Sequence, residues 1–367
     1  MTRRPEVLVI GAGPAGALFS VLLARQGREV VLVDKGSFPR SKVCGCCIAP
    51  AGQRAFEQAG LDGLLNDALT LRRMEMAHSG RSVSIPIPSY RTIGRHELDQ
   101  RLVESAESEG VEFRPNTSAR VRPDGICELD NGTLSPGVIV VADGLSGASL
   151  REHPGFGWRV RPGSLVGLGT VSDTPDAGLD AHAVTMACAA EGYVGAASIG
   201  GGRWSIAAAV TPQLIREQSP SGAMKQIYQR ATGRTLALDA PVRGTAPLTR
   251  QRNSVEAGTR IFLLGDACGY AEPMTGQGMS WAFEGAGLLA PIVDATIRGS
   301  TRPGAWQSVV DRRFRSAHAR CAALTRLVRS DAAQALIGLG ASLSPRAAGL
   351  VARTVLAAGT TGTGAVA

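Results

Sequence analysis

Three cysteines lie within four positions of one another in the stretch KVCGCCIAP, which begins at Lys42. Thiols at this spacing could ligate a metal ion, exchange electrons as a dithiol, or line the pocket of a cofactor. Zinc usually takes four ligands from two separated pairs, and neither a second pair nor a nearby histidine accompanies Cys44, Cys46 and Cys47. We therefore predict no metal site. The C-x-x-C spacing of Cys44 and Cys47 keeps a redox dithiol open as an alternative.

A second group of residues, near the N-terminus, has the spacing of a phosphate-binding turn. Residues 11–16 read GAGPAG, which fits G-x-G-x-x-G. Gly11 permits a tight turn, Gly13 lets the backbone approach a pyrophosphate, and Gly16 lets the next helix pack against the preceding strand. Asp34 follows 23 positions after Gly11, where its carboxylate could accept hydrogen bonds from ribose hydroxyls. These residues predict a dinucleotide site.

The segments around this turn predict the elements that position it. The mostly apolar run at residues 6–10 predicts a buried parallel strand, residues 15–27 predict a helix, and residues 29–34 predict a second strand. This order points the N-terminus of the helix at the phosphates.

Two later segments favour FAD over NAD as the dinucleotide. Residues 137–151 begin with a buried strand that runs into Asp143, and residues 260–293 begin with another that runs into Asp266. Residues 276–279 then open a helix whose free amide groups could face a flavin carbonyl edge or a phosphate. The segments together predict an α/β protein with a Rossmann-like FAD-binding domain.

With these segments the chain resembles the FAD-dependent monooxygenases of the p-hydroxybenzoate hydroxylase fold, and more closely their geranylgeranyl-reductase-like branch. The resemblance rests on GAGPAG, FPRSKVCG, the R-x-x-L-D-x-x-L stretch from Arg95 to Leu102, ADGLSGASLR and GDACGYAEPMTGQG, in this order from residue 6 to about residue 293. It implies an inserted β-sheet domain for substrate, roofing the flavin, and helices at the C-terminus.

The resemblance also implies which residues hold FAD. The glycine turn would bind the pyrophosphate, Asp34 the adenosine ribose, and Arg95 the phosphates or the ribityl chain. Asp266 would bind the ribityl or pyrophosphate region, residues 273–279 would lie along the isoalloxazine, and Asp143 would mainly tie strands together. The predicted cofactor-binding residues are Gly11, Gly13, Pro14, Ala15, Gly16, Asp34, Lys35, Arg40, Cys44, Gly45, Arg95, Asp143, Gly265, Asp266, Gly276, Gly278 and Met279.

The cysteine cluster falls in a loop that resembles the K-x-C-G-G-G loop of related reductases and hydroxylases, which crosses close to the flavin ring. Lys42, Cys44 and Gly45 match that loop, whereas Cys46 and Cys47 replace its usual glycines. We therefore expect the loop to line the pocket beside the isoalloxazine. The residues expected nearest the reaction are Arg40, Lys42, Cys44 and Pro273. Of these, Arg40 and Lys42 could steady negative charge on the reduced flavin.

Alternating segments predict the roof sheet. Residues 74–88 alternate around a turn, and residues 155–250 add further short strands. On the predicted roof strands, His78 and His182 are the candidate general bases.

One stretch of the roof departs from the related enzymes. Geranylgeranyl reductases carry an aromatic-Trp-Phe-Pro motif there, of which residues 192–197, GYVGAA, keep only the glycine and Tyr193. The W-x-W-x-I-P motif of flavin halogenases is absent from the chain. We expect Tyr193 to pack within the sheet.

The segments divide the chain into two domains, followed by C-terminal helices and a tail. The predicted FAD-binding domain comprises residues 1–73, 89–154 and 255–300, the sheet domain residues 74–88 and 155–254, the C-terminal helices residues 301–357, and a flexible tail residues 358–367. Within the C-terminal helices, six arginines between residues 306 and 330 accompany apolar residues. This pattern predicts a basic amphipathic surface packed on the FAD-binding domain, with peripheral membrane contact as the alternative.

Composition narrows the class of protein. The 367 residues carry a formal charge of +8, which suits a phosphate-bearing cofactor, and the scattered arginines argue against a nucleic-acid site. The chain contains no stretch of about 18 apolar residues, so we predict no transmembrane span. Seven cysteines without an export signal predict reduced thiols in the cytoplasm. No second strand-linked G-x-G-x-x-G is present, so NAD(P)H as a visiting ligand, or an outside donor, would reduce the flavin.

These observations predict an FAD-dependent oxidoreductase acting on a hydrophobic or aromatic small molecule. The leading hypothesis is a monooxygenase that hydroxylates a phenolic or polyketide-like compound through a flavin hydroperoxide. The first alternative is a reductase that transfers hydride to an alkene of a hydrophobic substrate. The second alternative is a non-catalytic flavin redox sensor.

Overall fold

A computed structural model describes residues 4–330 of the chain, except Thr174 and Pro273. The strands are β1 (Val7–Ile10), β2 (Val30–Val33), β3 (Cys47–Ile48), β4 (Leu69–His78), β5 (Arg81–Thr92), β6 (Glu112–Arg114), β7 (Ala119–Val121), β8 (Cys127–Leu129), β9 (Gly132–Leu134), β10 (Val138–Val141), β11 (Trp158–Val160), β12 (Val166–Ser172), β13 (Ala183–Ala189), β14 (Gly192–Gly200), β15 (Arg203–Val210), β16 (Arg243–Pro247), β17 (Arg250–Arg252), β18 (Glu256–Ala257), β19 (Ile261–Leu263) and β20 (Gly269–Tyr270). The helices are α1 (Pro14–Arg25), α2 (Pro50–Gln58), α3 (Arg95–Ser108), α4 (Pro212–Thr232), α5 (Gly278–Ile297), α6 (Ala305–Val310) and α7 (Ser316–Val328).

The first sheet has the strand order β18-β19-β10-β1-β2-β6 and is parallel except at β18. All residues of β1, β2, β10 and β19 are buried, as expected of parallel strands covered on both faces. Helix α1 packs against α3 and α5, and the small sheet β7-β8-β9 contributes Val121, Cys127 and Leu134 to the same core. The predicted α/β class with a Rossmann-like domain is confirmed.

The second sheet is the roof, with the order β16-β12-β15-β14-β13-β4-β5-β3. Its neighbours pair antiparallel except β13 and β4. Helix α4 covers one face through Ala223, Met224, Ile227 and Tyr228, so the other face is left for the cavity described below. Strand β3 follows the cysteine loop and pairs with the far end of β5, which attaches that loop to the roof.

Helix α4 lies in a region where the sequence analysis predicts only strands. Its ends carry ordinary signals: the Thr211 hydroxyl accepts a hydrogen bond from the Leu214 amide, and Gly233 ends the helix at a φ of 72°. Its middle breaks at Ser219, which has a φ of 67° and precedes Pro220. This break interrupts the helical periodicity, which explains why the sequence pattern conceals the helix.

The hairpin of β4 and β5 runs from Leu69 to Thr92, beyond the segment 74–88 that the sequence pattern assigns to the roof. Its turn residues Ser79 and Gly80 have φ values of 50° and 74°, which suit a tight hairpin between twisted strands. The division into two domains stays a prediction.

The described part of the C-terminal region packs on the first sheet's side of the molecule. The Trp306 indole donates to the Leu263 carbonyl over 2.7 Å, and Phe314, Ala317 and Cys321 are buried in the core that includes α5. Residues 331–367, which include the rest of the predicted C-terminal helices and the predicted tail, lie outside the described residues. No helix in residues 4–330 is both long enough and apolar enough to cross a membrane.

Candidate active site

A cavity of about 990 Å³ lies between the carboxyl ends of the parallel strands and the roof sheet. On the parallel-sheet side it is lined by residues that follow β1, β2, β10 and β19, which is the edge where open α/β sheets bind ligands. On the roof side it is lined by residues of β4, β5, β12, β13, β14 and β15. The cavity therefore joins a site of nucleotide-binding geometry to a second, roofed chamber.

The glycine turn after β1 forms a cradle that side chains would fill. Gly11 has a φ of +107°, and a Cβ placed there would lie 2.4 Å from the Ala142 carbonyl oxygen. A Cβ at Gly16 would lie 1.9 Å from the Gly11 oxygen, so this glycine serves the packing of α1 and does not line the cavity. Gly13 lines the cavity at the N-cap of α1, where amide groups face an anion.

Asp34, at the end of β2, is fixed to the glycine turn. The Ala12 amide donates to its Oδ2 over 2.8 Å, the Gly36 amide donates to its Oδ1 over 2.9 Å, and Arg40 forms an ion pair with it. These contacts hold the carboxylate at the cavity edge, in the position that a ribose-binding acid requires.

Two arginines meet at the start of α1. Arg95 donates to both oxygens of Asp99, over 2.7 Å from Nε and 2.8 Å from Nη2, and Arg40 lies 3.7 Å from the same carboxylate. Burial alone would lower the pKa of Arg95, but Asp99 raises it above the ordinary value. A Cβ at Gly13 would lie 3.8 Å from Arg95 and 3.9 Å from Arg40, so both guanidinium groups flank the amide cradle.

The charges around this cradle favour an anionic ligand. Lys35 and Lys42 also line the cavity here, and burial, followed by repulsion from Arg40, lowers the pKa of Lys42. Two lysines and two arginines thus surround the buried carboxylates Asp34 and Asp99. The excess of positive charge at a helix N-terminus fits the pyrophosphate of FAD.

Two further acids line the floor of the cavity. Asp143 accepts from the Ser149 amide and hydroxyl through Oδ2, both over 2.9 Å, whereas its buried Oδ1 has no partner. Burial raises the pKa of Asp143, and it raises the pKa of Asp266 to about 7. An unpaired buried oxygen at the cavity wall fits a ligand that donates a hydrogen bond, as a hydroxyl-bearing cofactor does.

Most of the predicted cofactor-binding residues line this one cavity. They are Gly11, Gly13, Pro14, Ala15, Asp34, Lys35, Arg40, Cys44, Gly45, Arg95, Asp143, Asp266, Gly276, Gly278 and Met279. Gly265 instead lines a separate small cavity behind Asp266, together with Trp281 and Trp306. Its positive φ and its lack of a side chain allow Ala15 to approach closely. Pro273 lies outside the described residues.

The cysteine loop lies in the cavity wall, with a pairing that differs from the C-x-x-C hypothesis. The Cys46 amide donates to the Cys44 thiol over 3.3 Å, and the Cys46 thiol donates to the Cys44 carbonyl over 3.8 Å. Cys47 opens β3 and donates instead to the Gly45 carbonyl over 3.2 Å. The structure therefore pairs Cys44 with Cys46, because the left-handed φ of 56° at Cys46 turns the chain back. No group of three or more His, Cys, Asp or Glu is arranged to hold a metal among the residues described.

The roof side of the cavity is apolar and built partly from small residues. Along β14, Tyr193, Gly195 and Ala197 line the cavity, whereas the alternate residues Val194 and Ala196 pack in the core under α4. The remaining roof lining includes Met74, Ile87, Leu168, Val184, Met186 and Ala207.

Tyr193 combines packing with an unused polar group. The side chain is 3% exposed and sits in a cluster with Met76 and Met186, as the sequence predicts, yet its buried hydroxyl has no hydrogen-bond partner. Burial, reinforced by Glu272, raises the pKa of this hydroxyl well above its ordinary value. The hydroxyl therefore stays protonated and is available as a donor.

The two histidines predicted as general bases do not line the cavity. His78 ends β4, where its Nδ1 lies 3.1 Å from the Cys188 carbonyl oxygen, and His182 precedes β13, 3.4 Å from the Thr70 oxygen. The two histidines lie at opposite ends of the parallel pair β4 and β13, and each imidazole faces a backbone carbonyl. Sequence reasoning missed Asp99, although its spacing of four from Arg95 and its place beside the buried Leu98 could have identified it.

The glycine cradle, its flanking acid and the roofed chamber define a flavoprotein of the p-hydroxybenzoate hydroxylase fold. The chain belongs to the FAD binding domain family, whose profile matches residues 4–323. It is thus an FAD-dependent oxidoreductase, and the resemblance predicted from the sequence is confirmed.

The chain is similar in sequence to two reductases and similar in fold to a monooxygenase. The chain is 26% identical over 318 residues to a menaquinone reductase of Mycolicibacterium smegmatis, covering 80% of this chain and 77% of that protein. It is 32% identical over 150 residues to a geranylgeranyl diphosphate reductase of Rhodobacter capsulatus, covering 40% of this chain and 35% of that protein. The structure of the p-nitrophenol 4-monooxygenase PnpA from Pseudomonas putida matches with a TM-score of 0.77 at 18% identity, over 96% of this chain and 97% of PnpA.

Proposed function

We propose that this protein is an FAD-dependent reductase that saturates a carbon–carbon double bond in a hydrophobic substrate. The observation that supports this most directly is the roof side of the cavity, whose described strands present mostly apolar residues, a few hydroxyls and Arg243, but no histidine or carboxylate. Hydroxylation of a phenol is assisted by a base that removes the phenolic proton, whereas reduction of an alkene needs a proton donor. On the roof, the hydroxyl of Tyr193 could donate this proton.

The residues that would hold FAD follow from the contacts above. The amides of the glycine turn and the guanidinium groups of Arg40 and Arg95 would bind the pyrophosphate, and Asp34 the adenosine ribose. Asp143, through its unpaired Oδ1, would accept a hydrogen bond from the cofactor. FAD, when bound and reduced, supplies the hydride. We further propose NAD(P)H, visiting from solvent, as the electron source.

The roof would exclude water and complete the reaction. Apolar residues such as Met74, Val184 and Met186 would hold the substrate by burial of its apolar surface. Tyr193 would donate the proton, so that the double bond gains one hydride and one proton. The Tyr193 hydroxyl is assigned this step because it is buried in the cavity wall and not committed to another acceptor.

The name of one relative supports the proposed reductase activity. A protein that matches four-fifths of this chain is named a menaquinone reductase, and we extend reductase activity, not the particular substrate, to this chain.

Hydroxylation of a phenolic or polyketide-like molecule is the second candidate. It is favoured by the cavity volume of about 990 Å³, which can hold a ring system, and by the fold shared with PnpA. A purely sensing flavoprotein is the weakest alternative, because a cavity of about 990 Å³ that extends under the roof has no use in a sensor.

One experiment separates these functions. The purified FAD-bound protein is reduced with NADPH, NADH or dithionite and offered a prenylated naphthoquinone and a panel of phenols, with and without oxygen. We expect an oxygen-independent product that gains two hydrogens. A product that gains one oxygen atom, with matching oxygen uptake, would instead establish the hydroxylase. Flavin reduction without any product from either class would contradict both catalytic proposals.

A further inference from the structure

We propose that Cys44 and Cys46 form a redox-active pair that hydrogen peroxide converts to a disulfide. This inference goes beyond the proposed reaction and does not depend on which substrate the enzyme takes. It starts from the three thiols that residues 44–47 bring into the cavity wall.

The backbone brings the two thiols together. Cys46 has a φ of 56°, and this left-handed conformation folds residues 44–46 into a turn. Within the turn the Cys46 amide donates to the Cys44 thiol over 3.3 Å, and the Cys46 thiol lies 3.8 Å from the Cys44 carbonyl oxygen. Each thiol therefore contacts the backbone of the other cysteine, which is the proximity that a disulfide between them requires.

The surroundings make Cys44 the reactive member. It is half-buried in the cavity wall, where a small oxidant can reach it, whereas Cys46 is 3% exposed. The hydrogen bond with Cys46, assisted by the positive charge of Arg95, lowers the pKa of Cys44 to about 6 despite burial. The thiolate is the nucleophilic form, so Cys44 would react at neutral pH.

Cys47 is excluded as the partner by its contacts. Its thiol donates to the Gly45 carbonyl, and its Cβ lies 3.3 Å from the place that a Cβ at Gly276 would occupy, so it packs toward the opposite wall. Burial also raises the pKa of Cys47 to about 12, which keeps this thiol protonated.

The chemistry balances with hydrogen peroxide as the oxidant. The Cys44 thiolate attacks one peroxide oxygen, the O–O bond breaks, and the Cys44 sulfur becomes a sulfenic acid while the second oxygen leaves as water after taking a proton. The Cys46 sulfur then attacks the Cys44 sulfur, the S–S bond forms, and the hydroxyl leaves with the Cys46 proton as a second water. Two thiols are oxidised and one peroxide is reduced. Reduced flavins that react with oxygen without a substrate release peroxide, so this oxidant would arise beside the pair.

The test uses the full-length, FAD-bound protein. It is reduced, freed of reductant and treated with an equimolar amount of hydrogen peroxide at neutral pH. Remaining thiols are then blocked with N-ethylmaleimide, and the tryptic peptide spanning residues 43–54 is weighed. We expect this peptide to lose two hydrogens and to carry a single maleimide, and we expect dithiothreitol to reverse the change.

Two variants test which cysteine forms the disulfide with Cys44. Cys46→Gly suits the positive φ and should abolish the loss of two hydrogens, leaving a Cys44 sulfenic acid that dimedone traps. Cys47→Ala, the matched control, should still lose two hydrogens. If Cys46→Gly does not retain FAD, Cys46→Ser replaces it in the same assay. Disulfide formation that survives loss of Cys46, or a wild-type protein that gains only oxygen atoms or does not change, would overturn the proposal.

Discussion

Arg95 and Asp99 are joined by two hydrogen bonds, of 2.7 and 2.8 Å, across one turn of α3, and the Asp99 side chain is completely buried. Because Arg40 also lies 3.7 Å from this carboxylate, a single residue fixes both guanidinium groups that flank the glycine cradle. The pair therefore links the stability of the fold to the binding of an anionic cofactor.

Replacing Asp99 should weaken both properties. In Asp99→Ala the Arg95 charge stays buried without its partner, and breaking such a pair typically costs about 3–5 kcal/mol of unfolding free energy. Urea unfolding and titration of the apoprotein with FAD measure the two effects. Glu97→Ala is the control, because Glu97 pairs with Arg101 nearer the surface, where such pairs contribute about 0–1 kcal/mol. Equal losses in both variants would show that burial of the pair is unimportant.

Two glycines of the cradle should respond differently to alanine. Gly11→Ala meets the Ala142 oxygen at 2.4 Å and carries a positive φ, so we expect a loss of about 2–4 kcal/mol in unfolding free energy. Gly13→Ala meets nothing closer than 3.8 Å, so the fold should be preserved. Its new methyl group projects into the ligand space, and we expect FAD affinity to fall about tenfold or more, roughly 1.4 kcal/mol. Thermal melts of the apoproteins, compared with FAD titrations, separate the two effects.

Removing the Tyr193 hydroxyl should slow turnover without harming the fold. Tyr193→Phe deletes a buried donor that has no partner, so stability should be unchanged or slightly higher. Loss of a general acid typically costs about 100-fold or more in kcat, with KM less affected.

Tyr90→Phe is the matched comparison for Tyr193. Its hydroxyl donates to the Thr275 carbonyl over 3.1 Å, so this variant should lose about 1 kcal/mol of stability instead. A Tyr193→Phe enzyme with normal kcat would remove this residue from the mechanism.

The reactivity of the loop thiols should depend on pH in a defined direction. The pKa of Cys44 is lowered from 9.0 to about 6, so the reactive thiolate predominates above about pH 6 and its alkylation slows as the pH falls through that value. An ordinary cysteine would already slow below about pH 9. Cys47, with its pKa raised to about 12, should stay unreactive at both pH 6 and pH 9. Iodoacetamide labelling rates for each cysteine, read by peptide mass, check this order; equal rates for Cys44 and Cys47 would contradict it.

The sequence predicts the cofactor half of the molecule well because its signals are local. The apolar runs of β1 and β10 are continuous, and the GAGPAG turn requires glycine for steric reasons that a single chain reveals. The positions of Asp34 and Asp266 follow from the ends of the strands that precede them. Most of the predicted cofactor-binding residues line one cavity for this reason.

The remaining features depend on contacts between distant segments. The break at Ser219 hides α4 from a periodicity search, and the pairing of Cys44 with Cys46 depends on one backbone angle. A strand assignment for His78 does not tell which part of the strand lines the cavity, and His78 lies outside the lining. The unpaired hydroxyl of Tyr193 depends on side chains that distant strands bring around it.

Residues 41–48 belong to the cofactor half along the chain but are fastened to the roof in space. Arg243 donates to the Ser41 carbonyl over 3.1 Å, Ser205 donates to the Cys44 carbonyl over 2.7 Å, and β3 pairs with β5. A boundary drawn along the sequence therefore does not separate the two halves in space. A chimera that borrows the roof of a relative has to import that relative's equivalent of residues 41–48 with it, or it will leave these attachments without partners at the centre of the new enzyme.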